Sequence, residues 1–141
     1  MDTYRILLVD DEEDLLDVLG EYLEEQGFAV TTALSGADAL RNLEHTPFDL
    51  LLSDINMPGM KGFELLETAH KRFPATKRAL ITAYDVRDYI TLAKEHAVGN
   101  IITKTTPFNF EETKLLIKNI LSENVFGLGR YVDGDISSAI I

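Results

Sequence analysis

LLLSDINMPGMKGFELL, residues 50–66, joins two kinds of segment across a single break. Asp49 to Ser53 reads as a short buried strand, because four to eight apolar residues bounded by polar ones suit the interior of a parallel sheet. The run ends on an acid, Asp54. Met57-Pro58-Gly59 then interrupts regular structure, and a helix is predicted from about Lys61 to Phe73, with Pro74 enforcing its end. A strand, an acid at the joint and a helix form the unit on which the rest of the chain can be read.

The same unit recurs on both sides. Toward the amino terminus, Arg5 to Val9 is an apolar run too short for a helix and closed by Asp10 and Asp11. From Glu12 to Gln26, Leu15, Val18, Leu19, Tyr22 and Leu23 recur at three- and four-residue spacing, which predicts an amphipathic helix stopped by Gly27. Phe28 to Ala33 is a second strand, and Ser35 offers an N-cap to a helix that turns Ala39, Leu40 and Leu43 inward. Toward the carboxyl terminus, strands are predicted at Arg78–Ile81 and Asn100–Thr103, and helices at Val86–Glu95 and Phe110–Ser122. Five strand–helix units demand a parallel sheet with right-handed crossovers and helices on both faces. The expected fold is a doubly wound, flavodoxin-like α/β sheet of five strands in the order 2-1-3-4-5.

In such a sheet the carboxyl ends of the strands open onto one crevice. Four of the five runs end there in a chemically capable side chain: Asp10 and Asp11, Asp54, Thr82 and Lys104. Three carboxylates form an all-oxygen cluster that suits Mg²⁺ or Mn²⁺ far better than zinc, and Mg²⁺ leads. A carboxylate can also act as a nucleophile toward phosphorus. Asp54, alone on its strand end, is the candidate. Lys104 would pair with a phosphoryl group as a point charge, and the Thr82 hydroxyl would donate to one of its oxygens. Taken singly, each residue has a blander reading: acids that favour a helix start, a turn threonine, a solvated lysine. Their joint register outweighs it.

Composition narrows the function classes. A chain of 141 residues with 45% hydrophobic content suits one domain with a real core. Cysteine is absent, which removes disulfides and thiolate chemistry and fits a reducing, cytoplasmic setting. The amino terminus has no signal-peptide pattern, and no apolar run approaches the ~20 residues of a membrane span. A net charge of −11 argues against direct binding to nucleic acid or to anionic lipid.

LLVDDEEDLL, LLLSDINMPGMKGFELL, LITAY and IITK together resemble the signatures of two-component response regulator receiver domains, over roughly residues 4 to 122. The resemblance implies that Asp54 accepts a phosphoryl group from a sensor histidine kinase. It also implies that Asp11, Asp54 and the Asn56 main-chain carbonyl ligate Mg²⁺, that Asp10 helps through water, and that Thr82 and Lys104 contact the phosphoryl group. Slow self-hydrolysis would follow, with Asn56 and Tyr84 flanking the path of water. Output would pass through partner binding to an unidentified protein or domain. Two features depart from the family. Ile101 stands where an aromatic ring usually turns inward, and a stiff β-branched side chain has no ring to swing. Thr105 and Thr106 separate Lys104 from Pro107, so the loop there is expected to differ while Lys104 still reaches the site.

Met57 and Met60 are expected to pack, and His45, His70 and His96 have no ligand-spaced partner. The acidic residues from Glu12 to Glu25 read as a solvated helix face, although the resemblance places kinase docking nearby. The domain is expected over 1–122. The tail over 123–141 carries Val125, Phe126, Leu128, Tyr131 and Val132, and either docks, on this domain or on a second copy as a homodimer, or begins a connection to an output domain. Two other functions fit parts of the pattern: a constitutive interaction module that no longer switches, and a Mg²⁺-dependent phosphohydrolase. The latter normally carries its nucleophile after the first strand, with another acid two residues on, whereas here that strand ends in adjacent acids.

Overall fold

The computed structural model describes residues 3–83, 91, 95, 100–105 and 107–122, and the backbone of 130–132. The chain runs β1 (Arg5–Val9), α1 (Glu13–Glu25), β2 (Ala29–Ala33), α2 (Gly36–His45), β3 (Leu50–Asp54), α3 (Gly62–Arg72), β4 (Lys77–Thr82), β5 (Asn100–Thr103), α4 (Phe110–Ser122) and β6 (Arg130–Val132). The predicted helix at Val86–Glu95, together with Tyr84 and His96, lies outside the described residues apart from Thr91 and Glu95, both helical.

All strand pairs are parallel, and the five predicted strands stand in the order 2-1-3-4-5. The tail adds a sixth. β6 pairs in parallel with β5, with Asn100 opposite Arg130 and Ile102 opposite Val132. The sheet divides the core in two, as alternation within each buried run requires. Leu7, Val9, Leu51, Leu80 and Ile101 face α2 and α3. Ile6, Leu8, Leu50, Leu52, Ile81 and Ile102 face α1 and α4.

Local chemistry sets the helix boundaries. The Ser35 hydroxyl accepts the Asp38 N–H at 3.1 Å, the N-cap expected for α2. Gly27 ends the α1 turn at φ 100°, in the left-handed region that favours glycine. Asn109 caps α4 through its Oδ1, which accepts the Glu112 N–H at 2.9 Å. At the other end of α4, Lys77 of β4 donates to the carbonyls of Ile120 and Leu121, both at 3.0 Å. These are last-turn carbonyls with no partner inside the helix, at its negative end. Lys77→Met is therefore expected to lower stability by about 1–2 kcal/mol, read as a fall in the urea midpoint at unchanged slope.

The inward face of α1 is the expected one at Leu15, Leu19, Tyr22 and Leu23, but not at Val18. Leu16, Leu19, Gly20 and Leu23 are buried, whereas Val18 is 53% exposed. The helix turns so that Gly20 lies over β2, where a Cβ would meet Val30 at 3.6 Å and Thr32 at 3.7 Å. Met57 is buried and Met60 partly buried against the α2–α3 core, as packing residues.

Candidate functional site

The site sits at the carboxyl ends of β1, β3 and β5, at the point where chain order reverses between β1 and its two neighbours. Val9 is in register with Ser53, so Asp10 leaves β1 beside Asp54 at the end of β3. Asp54 pairs with Ile81, and Thr82 with Thr103, which brings Lys104 to the same edge. The Lys104 N–H donates to the Thr82 carbonyl at 2.6 Å, anchoring the start of the lengthened loop. Within that loop the Thr105 hydroxyl donates to the Pro107 carbonyl at 2.8 Å.

Lys104 reaches the acids in spite of the two extra threonines. Its Nζ lies 2.7 Å from Asp10 Oδ2, 3.1 Å from Glu12 Oε1 and 3.4 Å from Asp54 Oδ1. Asp10, Asp11 and Asp54 each offer a carboxylate oxygen, all within 4.8 Å of one another. Asp10 and Asp54 are buried, and Asp11 is exposed. Three hard oxygens gathered at that span, with a mouth open at Asp11, fit a divalent cation that prefers oxygen and keeps water ligands, as Mg²⁺ does. The main chain of Asn56 runs two residues past Asp54, in the loop before α3. Thr82 is fully buried at the end of β4.

Burial dominates the electrostatics. It pushes the Asp54 carboxyl up from 3.8 to about 6, against the lowering pull of Lys104 and with a further upward push from Asp10. Burial also raises Asp10, although Lys104 and the Glu12 N–H oppose it. Lys104 is the reverse case. Burial would depress its ammonium, but the hydrogen bond and charge of Asp10, then Asp54 and Glu12, outweigh burial and raise it. Among the described residues, the crevice gathers three acids around one lysine.

Gly62 packs against the carboxyl end of β3. Its N–H donates to the Ile55 carbonyl at 2.9 Å, and a Cβ there would stand 2.2 Å from the Asp54 carbonyl oxygen. Sequence reading passed over both Gly62 and the Glu12 contact. A glycine at a helix start directly after a Pro-Gly break was the available signal for the first; nothing local signalled the second. Ile101, at the position of the usual aromatic residue, is fully buried in the α2–α3 core.

The chain belongs to the response regulator receiver domain family, whose family model matches residues 6–118. A receiver domain protein of Methanospirillum hungatei, described as CheY-like, is 34% identical at a TM-score of 0.78, over 85% of this chain and 94% of that one. The response regulator protein TrrA of Thermotoga maritima, in complex with Mg²⁺-BeF, is 34% identical at a TM-score of 0.74, over 84% of this chain and 99% of that one. Among curated proteins, the transcriptional regulatory protein GlrR of Escherichia coli is 36% identical over 100 residues. That alignment covers 71% of this chain and 22% of the relative, so the chain spans only part of that protein. This is a receiver domain of two-component signalling. Among the described residues no helix is long and apolar enough to cross a membrane.

Proposed function

We propose that the domain is a phosphorylation-switched receiver in which Asp54 takes a phosphoryl group from the phosphohistidine of a sensor histidine kinase. The observation that carries this is the convergence of Asp10 and Asp54 within 3.4 Å of the Lys104 ammonium, the three residues coming from the ends of three different strands. An Asp54 carboxylate oxygen attacks phosphorus, the P–N bond to the histidine breaks as the P–O bond forms, and the imidazole leaves with the electron pair. Lys104 meets the negative charge on the phosphoryl oxygens, and Thr82 donates to one of them. Hydrolysis by water later returns the carboxylate and inorganic phosphate, with Asn56 beside Asp54 in the chain and so near the water's approach. Beyond these two reactions of its own carboxylate, the domain is not an enzyme.

Asp11, Asp54 and the Asn56 main-chain carbonyl would hold Mg²⁺, with Asp10 acting through water. When bound, the ion offsets the repulsion among the carboxylates and the incoming phosphate. That TrrA, 34% identical, is seen in complex with Mg²⁺-BeF supports Mg²⁺ as the ion. The working setting is the cytoplasm, where histidine kinases present their phosphohistidine, and output passes to a partner protein or attached domain, or to a homodimer. Residues 1–122 form the receiver, and 123–141 an extension whose described part, β6, pairs with β5. The cluster's order along the chain disfavours the phosphohydrolase, and Lys104 poised on Asp54 disfavours the non-switching module.

Incubation with Mg²⁺ and acetyl phosphate or beryllofluoride, followed by mass, amide spectra and oligomeric state, tests the proposal. The expected result is a Mg²⁺-dependent response that Asp54→Asn abolishes. A response retained in Asp54→Asn, or none in the wild type, overturns it.

A further inference from the structure

Lys104 is only 9% exposed, yet one of the three carboxylates that surround its ammonium, Glu12, is 65% exposed. Asp10 and Asp54 belong to the acid cluster; Glu12 does not. Asp10 and Glu12 are linked directly: Asp10 Oδ1 accepts the Glu12 N–H at 2.9 Å while Asp10 Oδ2 accepts from Lys104 at 2.7 Å. Both oxygens of Asp10 are therefore engaged. The same turn holds Glu12 at the N-cap of α1 in extended backbone, φ −86° and ψ 95°, from which its Oε1 reaches Lys104 at 3.1 Å.

We propose that Glu12 is a positioning residue for Lys104, holding the ammonium off the acid cluster when a divalent cation enters; the proposal rests on the reading of Asp10, Asp11 and Asp54 as a Mg²⁺ site. A cation and an ammonium compete for the same carboxylates. Asp10 can serve the cation only as Lys104 releases it. Of the three partners, Glu12 is the one that the cation does not need, and it lies on the solvent side, so Lys104 can lean onto it and remain within reach of Asp54. Without Glu12, the ammonium falls wholly onto Asp10 and Asp54 and opposes the cation there. Glu13, the next residue, carries the same charge without the contact and serves as the control for the general field.

The test is a calorimetric titration of the full chain with Mg²⁺ alone, in wild type, Glu12→Gln, Glu13→Gln, Lys104→Met and the double variant Glu12→Gln/Lys104→Met. Glu12→Gln is expected to weaken Mg²⁺ binding roughly threefold or more, well beyond Glu13→Gln, and that excess is expected to vanish in the Lys104→Met background. Lys104→Gln provides a second background should the methionine variant fold poorly. Before any Mg²⁺ is added, the NMR signals of the Lys104 side chain are expected to shift in Glu12→Gln and not in Glu13→Gln. Equal effects of the two glutamine variants, or an excess that persists without Lys104, overturns the role of Glu12 and leaves the cation site standing. A wild type that takes up no Mg²⁺ overturns both.

Discussion

Gly62→Ala is expected to destabilise the domain by about 3 kcal/mol, near the top of the usual range for overpacking, and to blunt the response to beryllofluoride. The added Cβ would stand 2.2 Å from the Asp54 carbonyl oxygen, 3.0 Å from its carbonyl carbon and 3.0 Å from Ile55 Cα. All three are backbone atoms, so no rotamer change relieves the contact. Either α3 backs away from β3, opening the core around Phe63, Leu65 and Leu66, or the end of β3 moves and takes Asp54 with it. Gly27→Ala is the instructive comparison. Gly27 has open space around its missing Cβ but a φ of 100°, so the cost there is conformational, about 1–2 kcal/mol, and the site is untouched. Urea denaturation of both variants, with beryllofluoride titrations alongside, separates the two effects. A Gly62→Ala protein as stable as wild type would show that the helix start yields freely.

The second large effect is one of charge. In the absence of Mg²⁺, Asp54→Asn is expected to be more stable than wild type at pH 7.5, by on the order of 2 kcal/mol. Burial raises the Asp54 carboxyl to about 6 in the folded protein, against 3.8 in the unfolded chain. The folded state therefore binds the proton more tightly. Asp54's favourable contribution is fully present below about pH 4 and is lost as pH rises through 6, where the carboxylate ionises in a buried place beside Asp10. Asparagine carries no such charge, and Lys104 keeps Asp10 and Glu12 as partners. The stability gap should therefore close as pH falls from 7.5 toward 4. Added Mg²⁺ should narrow the gap at pH 7.5 by stabilising the wild type more than the variant. Urea midpoints in chelator at three pH values measure this; equal stabilities at pH 7.5 would contradict it.

Most of the fold was legible because a buried parallel strand betrays itself as a short apolar run, and its exit as the first polar residue. That logic located β1, β3 and the acids Asp10, Asp11 and Asp54 to within a residue. It failed where two answers were locally equivalent. On α1 the expected stripe holds at Leu15, Leu19, Tyr22 and Leu23, but Val18 faces solvent while Leu16 and Gly20 turn inward, because the contact of Gly20 with β2 sets the rotation of the helix. β6 has three residues in a glycine- and acid-rich tail with no periodicity to detect, and its pairing depends on the free edge of β5. Gly62 and Glu12 were invisible for a different reason. The demand on Gly62 comes from a carbonyl eight residues back, and the partner of Glu12 lies 92 residues away.

The five buried residues of β3 lie between β1 and β4, with side chains packed on both faces. Such a strand surrenders its amide protons to deuterium only when the whole domain opens. Asp54 is rooted in that strand, whereas Lys104 hangs from the last residues of β5, two places nearer the sheet's edge and next to an exposed loop. The carboxylate is thus anchored in the middle of the sheet and the ammonium near its margin, so the ion pair between Lys104 and Asp54 spans the most and the least enclosed parts of one crevice.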